Sequence, residues 1–228
     1  MNKTCLSTLL AGVTCAGVSA NAATLTPVFS PPSGEKTHEQ ILEDILGGDF
    51  TQVGNDFTSG SLTVTRVDDD EDQSYEFASW SVLAQASWAG ASQAFGTEED
   101  GQLFAVTGDE NSVSGSAFDF DGGEGIVFKR FGNESESVIV HTDPSLNASG
   151  RDHVVTYRYT VDDIGGPQIS YLLFFEDRDE TSRRPDWDYN DLVVELRGTP
   201  IDGGTEIPEP GSLALLGTGL LLMLKRRR

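Results

Sequence analysis

The stretch HVVTYRYTV, His153 to Val161, sets Val155, Tyr157, Tyr159 and Val161 on one side of an extended chain and Thr156, Arg158 and Thr160 on the other. A period of two is that of a β-strand, and this alternation predicts one buried face and one wet face. Shortly downstream, Leu172-Leu173-Phe174-Phe175 is apolar at every position, as a central strand covered on both sides requires. Working outward, runs rich in Val, Phe, Tyr and Thr between Gly and Asp clusters predict strands at Leu62–Val67, Tyr75–Ser87, Gln102–Val106, Val113–Phe120, Ile126–Phe131, Val138–His141 and Leu192–Leu196. About eight or nine strands without disulfides describe a mainly β chain, an antiparallel β-sandwich or jelly-roll-like single domain over residues 23–199.

One short helix precedes the strands. Thr37 can cap it with Gln40 three residues on, Ile41, Leu42, Ile45 and Leu46 share a face, and Gly47-Gly48 stops it. His38, in its first turn, is expected at the surface.

The two ends differ from this body. Lys3, an apolar run from Leu9 to Val18 and then Ala20-Asn21-Ala22 have the order of a secretory signal over residues 1–22, with cleavage leaving Ala23 first and the secretion translocon and signal peptidase as partners. Thr14 and Val13 before Cys15 depart from a lipoprotein signal. Both cysteines, Cys5 and Cys15, would leave with this segment, so the mature chain can use neither disulfides nor thiolate chemistry.

The formal net charge is −22. Setting aside Lys3, Lys225, Arg226, Arg227 and Arg228, ten basic residues stand against 37 acidic ones, a balance of −27. Such a surface repels nucleic acid and anionic lipid and attracts cations.

After a Gly- and Pro-containing linker, residues 200–207, the chain reads PEPGSLALLGTGLLLMLKRRR from Pro208 to Arg228. Leu213 to Leu224 forms a helix of roughly 18 Å against about 30 Å of hydrocarbon, so it is a short membrane anchor that needs snorkelling by its flanks. Lys225, Arg226, Arg227 and Arg228 hold the end on the cytoplasmic side and leave everything upstream outside. Pro208-Glu209-Pro210, a short hydrophobic helix and an Arg-rich end together resemble the PEP-CTERM sorting signal. That resemblance implies exosortase as processing partner, with its genes accompanying exopolysaccharide production. It further implies transient inner-membrane anchoring, removal of the tail near Pro208 to Pro210, and delivery of the body to the outer surface or extracellular matrix. The segment from Ser33 to Gly48 is also similar to a stretch near the start of other PEP-CTERM proteins.

Within the body, the densest chemistry lies in FFEDRDETSRRPDWDYNDLVVEL, Phe174 to Leu196. Asp186, Asp188 and Asn190 alternate with Trp187 and Tyr189, so the oxygens can converge on one cation while the aromatics turn away to pack. Hard oxygen ligands in this number suit calcium. The spacing is not an EF-hand, because Asp191 stands where that loop needs Gly and Arg197 where it needs Glu. It resembles instead the D-x-D-Y-N-D-hydrophobic-V-V ending of a β-rich domain of unknown function in secreted bacterial proteins. That resemblance implies calcium at Asp186, Asp188, Asn190 and Asp191, with Glu176 and Asp177 completing the set. The alternative is an Asx-rich hairpin turn balanced by Arg178, Arg183 or Arg184. Asp68-Asp69-Asp70-Glu71-Asp72 reads most simply as a solvated hairpin loop, with a cation site as the alternative, and Asp119 to Gly123, which could place two carboxylates at a turn, reads better as a Gly-turned hairpin.

His38, His141 and His153 show no zinc spacing, and neither a nucleophile elbow nor a phosphate-binding loop occurs. No catalytic residues are assigned, and no enzyme is expected. Three readings remain: a calcium-stiffened matrix or surface protein, a carbohydrate-binding module using Trp80, Trp88 or Trp187, and an enzyme acting on polysaccharide. Buried core is the expected place of at least two of those tryptophans.

Overall fold

The computed structural model describes residues 24–89, 92–110, 112–132, 139–163, 166–177 and 186–199. The chain enters through α1 (His38–Leu46) and continues as β1 (Thr51–Val53), β2 (Asp56–Ser59), β3 (Leu62–Arg66), β4 (Tyr75–Ala86), β5 (Gln93–Thr97) and β6 (Gly101–Val106). There follow β7 (Ser116–Ile126), β8 (Phe128–Phe131), β9 (Ile139–His141), β10 (Val154–Asp163), β11 (Gly166–Phe175) and β12 (Leu192–Thr199). The strands form an eight-stranded sheet in the order β1-β2-β3-β10-β11-β12-β4-β7 and a four-stranded sheet in the order β6-β5-β8-β9. All the paired strands run antiparallel, as the expected sandwich requires.

β11 explains the layering. Leu172, Leu173, Phe174 and Phe175 are all fully buried, and successive side chains leave on opposite faces. Leu173 and Phe175 join Trp80, Val194 and Leu196 against Phe95, Phe104, Phe128 and Val140 of the small sheet. Leu172 and Phe174 join Val155, Tyr157 and Val193 against Ile41 and Leu42 of α1 and Phe57 and Val64 of β2 and β3. The central strands of the large sheet are therefore covered on one side by the second sheet and on the other by the helix, with Phe57 and Val64 of the sheet's own edge strands β2 and β3 joining that second cluster. Each such side chain contributes about 1.5–3 kcal/mol through burial.

The helix forms as expected, with a reciprocal capping box between Thr37 and Gln40 and Gly47 at its C-cap. His38, however, is buried, because α1 lies flat on the sheet and turns its first residue onto Tyr157 and Phe174. β10 also departs from the expected wet face. Thr156 is fully buried, its hydroxyl paired with Tyr75 Oη of β4 at 2.9 Å, whereas Val161 is exposed to solvent. The Asp68–Asp72 run is only partly a solvated loop: Asp69 and Asp72 are both buried, and Asp69 accepts from the Thr26 hydroxyl in the segment that leads into α1. Ile126–Phe131 breaks at Val127 into the last residue of β7 and the whole of β8.

The candidate signal, with Ala20, Ala22 and Ala23, lies outside the described residues. So do Arg178, Arg183 and Arg184, the linker, Pro208, Glu209, Pro210, the short hydrophobic helix, and Lys225, Arg226, Arg227 and Arg228. Among the described residues no helix is long and apolar enough to cross a membrane.

Candidate metal centre

Antiparallel pairing sets the site. Phe175 of β11 faces Leu192 of β12, so the residues just beyond each strand end, Glu176-Asp177 and Asn190-Asp191, come out side by side. The Asp177 amide donates to Asp191 Oδ2 at 2.7 Å, and the Trp187 amide donates to Glu176 Oε2 at 2.8 Å. Between these latches, Trp187 and Tyr189 adopt left-handed backbone conformations, with φ of 59° and 57°. For bulky L-residues this costs about 1–2 kcal/mol each and persists only where the surroundings impose it. Here the alternating twist turns both aromatics into the second core, with Tyr189 fully buried, and leaves the acidic side chains on the other side.

Four of those side chains meet. One carboxylate oxygen each from Glu176, Asp186, Asp188 and Asp191 lie within 4.8 Å of one another. Ligands about 2.3–2.6 Å from a calcium ion lie up to about 5 Å apart across it, so one ion can touch all four. Asp188 Oδ1 accepts from the Asn190 amide at 3.3 Å, while Asp188 Oδ2 and Asn190 Oδ1 are buried with no hydrogen-bond donor. Asn190 Nδ2 donates to the Lys36 carbonyl at 3.2 Å, which fixes which amide atom is the oxygen. Unpaired buried acceptors and an all-oxygen donor set fit a hard cation such as calcium.

Electrostatics agree. Burial, followed by the charges of Asp191, Asp186 and Asp177, holds the Glu176 carboxyl far above the ordinary carboxylate range. Burial and then Asp177 raise Asp191, and burial with Asp186 raises Asp188 to about 7. These carboxylates crowd one another, and a divalent ion relieves that repulsion.

Of the six residues expected from sequence, Glu176, Asp186, Asp188 and Asp191 gather together and Asn190 adjoins them. Asp177 turns toward Arg130, whose guanidinium lies 3.8 Å from its carboxylate and donates to its carbonyl at 2.9 Å. Arg130 is buried and also donates to Gln93 Oε1 at 2.5 Å, while Gln93 and Ser87 both donate to the Asp191 carbonyl. Sequence reasoning did not find Arg130 and Gln93, since they arrive from the small sheet. Nor did it find the part played by His38. Its Nε2 bonds the Asp188 carbonyl at 2.7 Å and must carry the proton, so Nδ1 accepts from Tyr157 Oη at 2.9 Å. Burial drives the ring's pKa down to about 3, and the neutral imidazole braces the backbone of a ligand-bearing residue. The only signal was the helix cap, which placed His38 but not its neighbours.

No curated protein and no solved structure matches the chain. Residues 206–228 match the family model of the PEP-CTERM protein-sorting motif. The chain is thus an exported protein that carries a C-terminal PEP-CTERM sorting signal, and exosortase is its processing partner.

Proposed function

We propose that the body carried by this sorting signal is a non-enzymatic surface or matrix protein, associated with exopolysaccharide and stiffened by calcium between β11 and β12. The observation that carries the calcium reading is the convergence of Glu176, Asp186, Asp188 and Asp191 within 4.8 Å beside two buried acceptors without donors. A structural role is favoured over sugar binding by the tryptophans. Trp80 is buried in the first core, and Trp88 and Trp187 are half-buried against the second. The association with exopolysaccharide rests on the sorting route alone.

The test is thermal unfolding of the exported protein in chelator and in calcium. Binding to the native state alone adds about 2.7 kcal/mol at a hundredfold excess over the dissociation constant, which raises the midpoint. An unchanged midpoint, or an equal rise in a variant carrying Asp188→Asn and Asp191→Asn, sinks the reading.

A further inference from the structure

The residues that lead into α1 are fastened to the metal loop. From Thr24 to Thr37 none is buried, and Val28 and Phe29 are 38% and 57% exposed. A segment with so little apolar burial is held by its hydrogen bonds and belongs to the parts of a fold that open first. Its bonds fall at two places. Near its start the Thr24 amide donates to Asp68 Oδ2 at 3.1 Å, the Asp69 amide donates to the Thr24 carbonyl at 3.0 Å, and the Thr26 hydroxyl donates to Asp69 Oδ2 at 2.7 Å. Further along, the Phe29 amide donates to the Trp187 carbonyl at 3.0 Å and Asn190 Nδ2 donates to the Lys36 carbonyl at 3.2 Å, just before His38 Nε2 meets the Asp188 carbonyl. Trp187, Asp188 and Asn190, three residues of the metal loop, thus hold the segment and the start of the helix.

The loop that offers these partners is itself strained. Trp187 and Tyr189 sit in the left-handed region, and carboxylate oxygens of Glu176, Asp186, Asp188 and Asp191 lie within 4.8 Å of one another. Without a cation the backbone strain and the like charges both favour opening the loop, which withdraws the Trp187 and Asp188 carbonyls from their donors. A cation removes the repulsion and fixes the turn that presents them. Asn190 ties the two together most directly. Its backbone N–H donates to Asp188 Oδ1, its Oδ1 is buried with no donor, and its Nδ2 holds the Lys36 carbonyl. Charge drawn from Oδ1 toward a cation polarises the amide and makes Nδ2–H the stronger donor.

We infer, resting on the calcium reading above, that residues 24–37 form a strap that the metal centre latches: an ion bound there fastens the strap from Phe29 onward, and loss of the ion frees it. The strap is one wall of a cleft of about 440 Å³ whose other side includes Phe57 and Tyr157, so release opens that cleft. Coupling of this kind is reciprocal, and a fastened strap raises the affinity for the ion by the same factor by which the ion favours fastening.

Hydrogen exchange of the exported protein, followed amide by amide in chelator and in calcium chloride, reads the latch. Calcium should slow exchange of the Phe29 amide about 5- to 150-fold, the usual span of coupling between two sites. It should leave unchanged the Asp100 amide, which is bonded to Thr97 Oγ1 within the β5–β6 turn. Phe29→Pro removes the N–H that meets the Trp187 carbonyl and alters no ligand of the ion. By reciprocity it should weaken calcium binding in calorimetric titration by a factor within the same span, and an affinity equal to that of the wild type overturns the inference. A wild type that takes up calcium while its Phe29 amide exchanges at an unchanged rate, or slows only as much as the Asp100 amide, also overturns it and leaves the calcium reading standing. A wild type that takes up no calcium overturns both. Should Phe29→Pro not fold, exchange in the wild type decides by itself.

Discussion

Asp177 donates its backbone N–H to Asp191 Oδ2 at 2.7 Å, which latches the two sides of the acidic loop where β11 and β12 stop pairing. The latch occupies one oxygen of Asp191 and positions that carboxylate beside Glu176. A charge relationship that would otherwise splay the hairpin open is thereby held inside it.

The first prediction concerns pH in the absence of metal. An acid whose folded pKa is raised stabilises the fold fully below its unfolded value, near 4, and loses that contribution as pH rises toward the folded value. Asp188 and Asp152 at about 7, Asp72 at about 8, and the raised Glu176 and Asp191 all run this way. His38 opposes them, since its contribution is full above about 6.5 and fades as pH falls toward 3. Five acids outweigh one imidazole, so chelated protein should be most stable near pH 4 and weaken up to about pH 8. Saturating calcium should flatten that decline. Urea midpoints across this range decide it, and a chelated midpoint that climbs from pH 5 to 8 would contradict it.

Replacing His38 by Phe keeps the ring's volume but strands Tyr157 Oη and the Asp188 carbonyl. Losing both bonds should cost about 1–3 kcal/mol at pH 7. The deficit should shrink at pH 5, where the wild type pays for keeping its imidazole neutral, and calcium affinity should drop as Asp188 loosens. An equal deficit at both pH values would show that the ring does not titrate as described.

Gly198 of β12 passes directly under Phe77 of β4. A Cβ at position 198 would lie 1.7 Å from the Phe77 ring, so no small adjustment admits it. Gly198→Ala should destabilise by about 1–3 kcal/mol in chemical denaturation, and Phe77→Leu in the same chain should recover part of the loss. Simple additivity of the two changes would show that the clash is not the cause.

The sorting tail can be tested in cells. Changing Pro208, Glu209 and Pro210 together to Ala should leave the tail attached, as should deletion of the sorting enzyme. Intact mass of the C-terminal fragment reports both outcomes. The same processed mass in all strains would exclude cleavage through this motif.

Much of the fold follows from local pattern. The alternation of β10, the fully apolar Leu172–Phe175 run and the Thr37–Gln40 capping box each declare an element from neighbours in sequence, because period and capping are short-range properties. β1, β2 and β5 escaped notice for a related reason. The first two are short and polar, and Gln93-Ala94-Phe95-Gly96-Thr97 is buried at every position without alternating. Order within the sheets was equally invisible, since β3 pairs with β10 and β4 with β12 across long stretches of chain.

The same division holds for the sites. By itself the sequence determined the sorting tail, whose turn, apolar run and basic end are contiguous, and the oxygen-bearing loop from Asp186 to Asp191. Only the tertiary structure decided that Asp177 belongs to Arg130, that His38 braces Asp188, and that Asp69 and Asp72 are shut away from solvent. Burial and charge pairing depend on which distant strands close over a residue, and a run of aspartates reads alike in solvent and in the core.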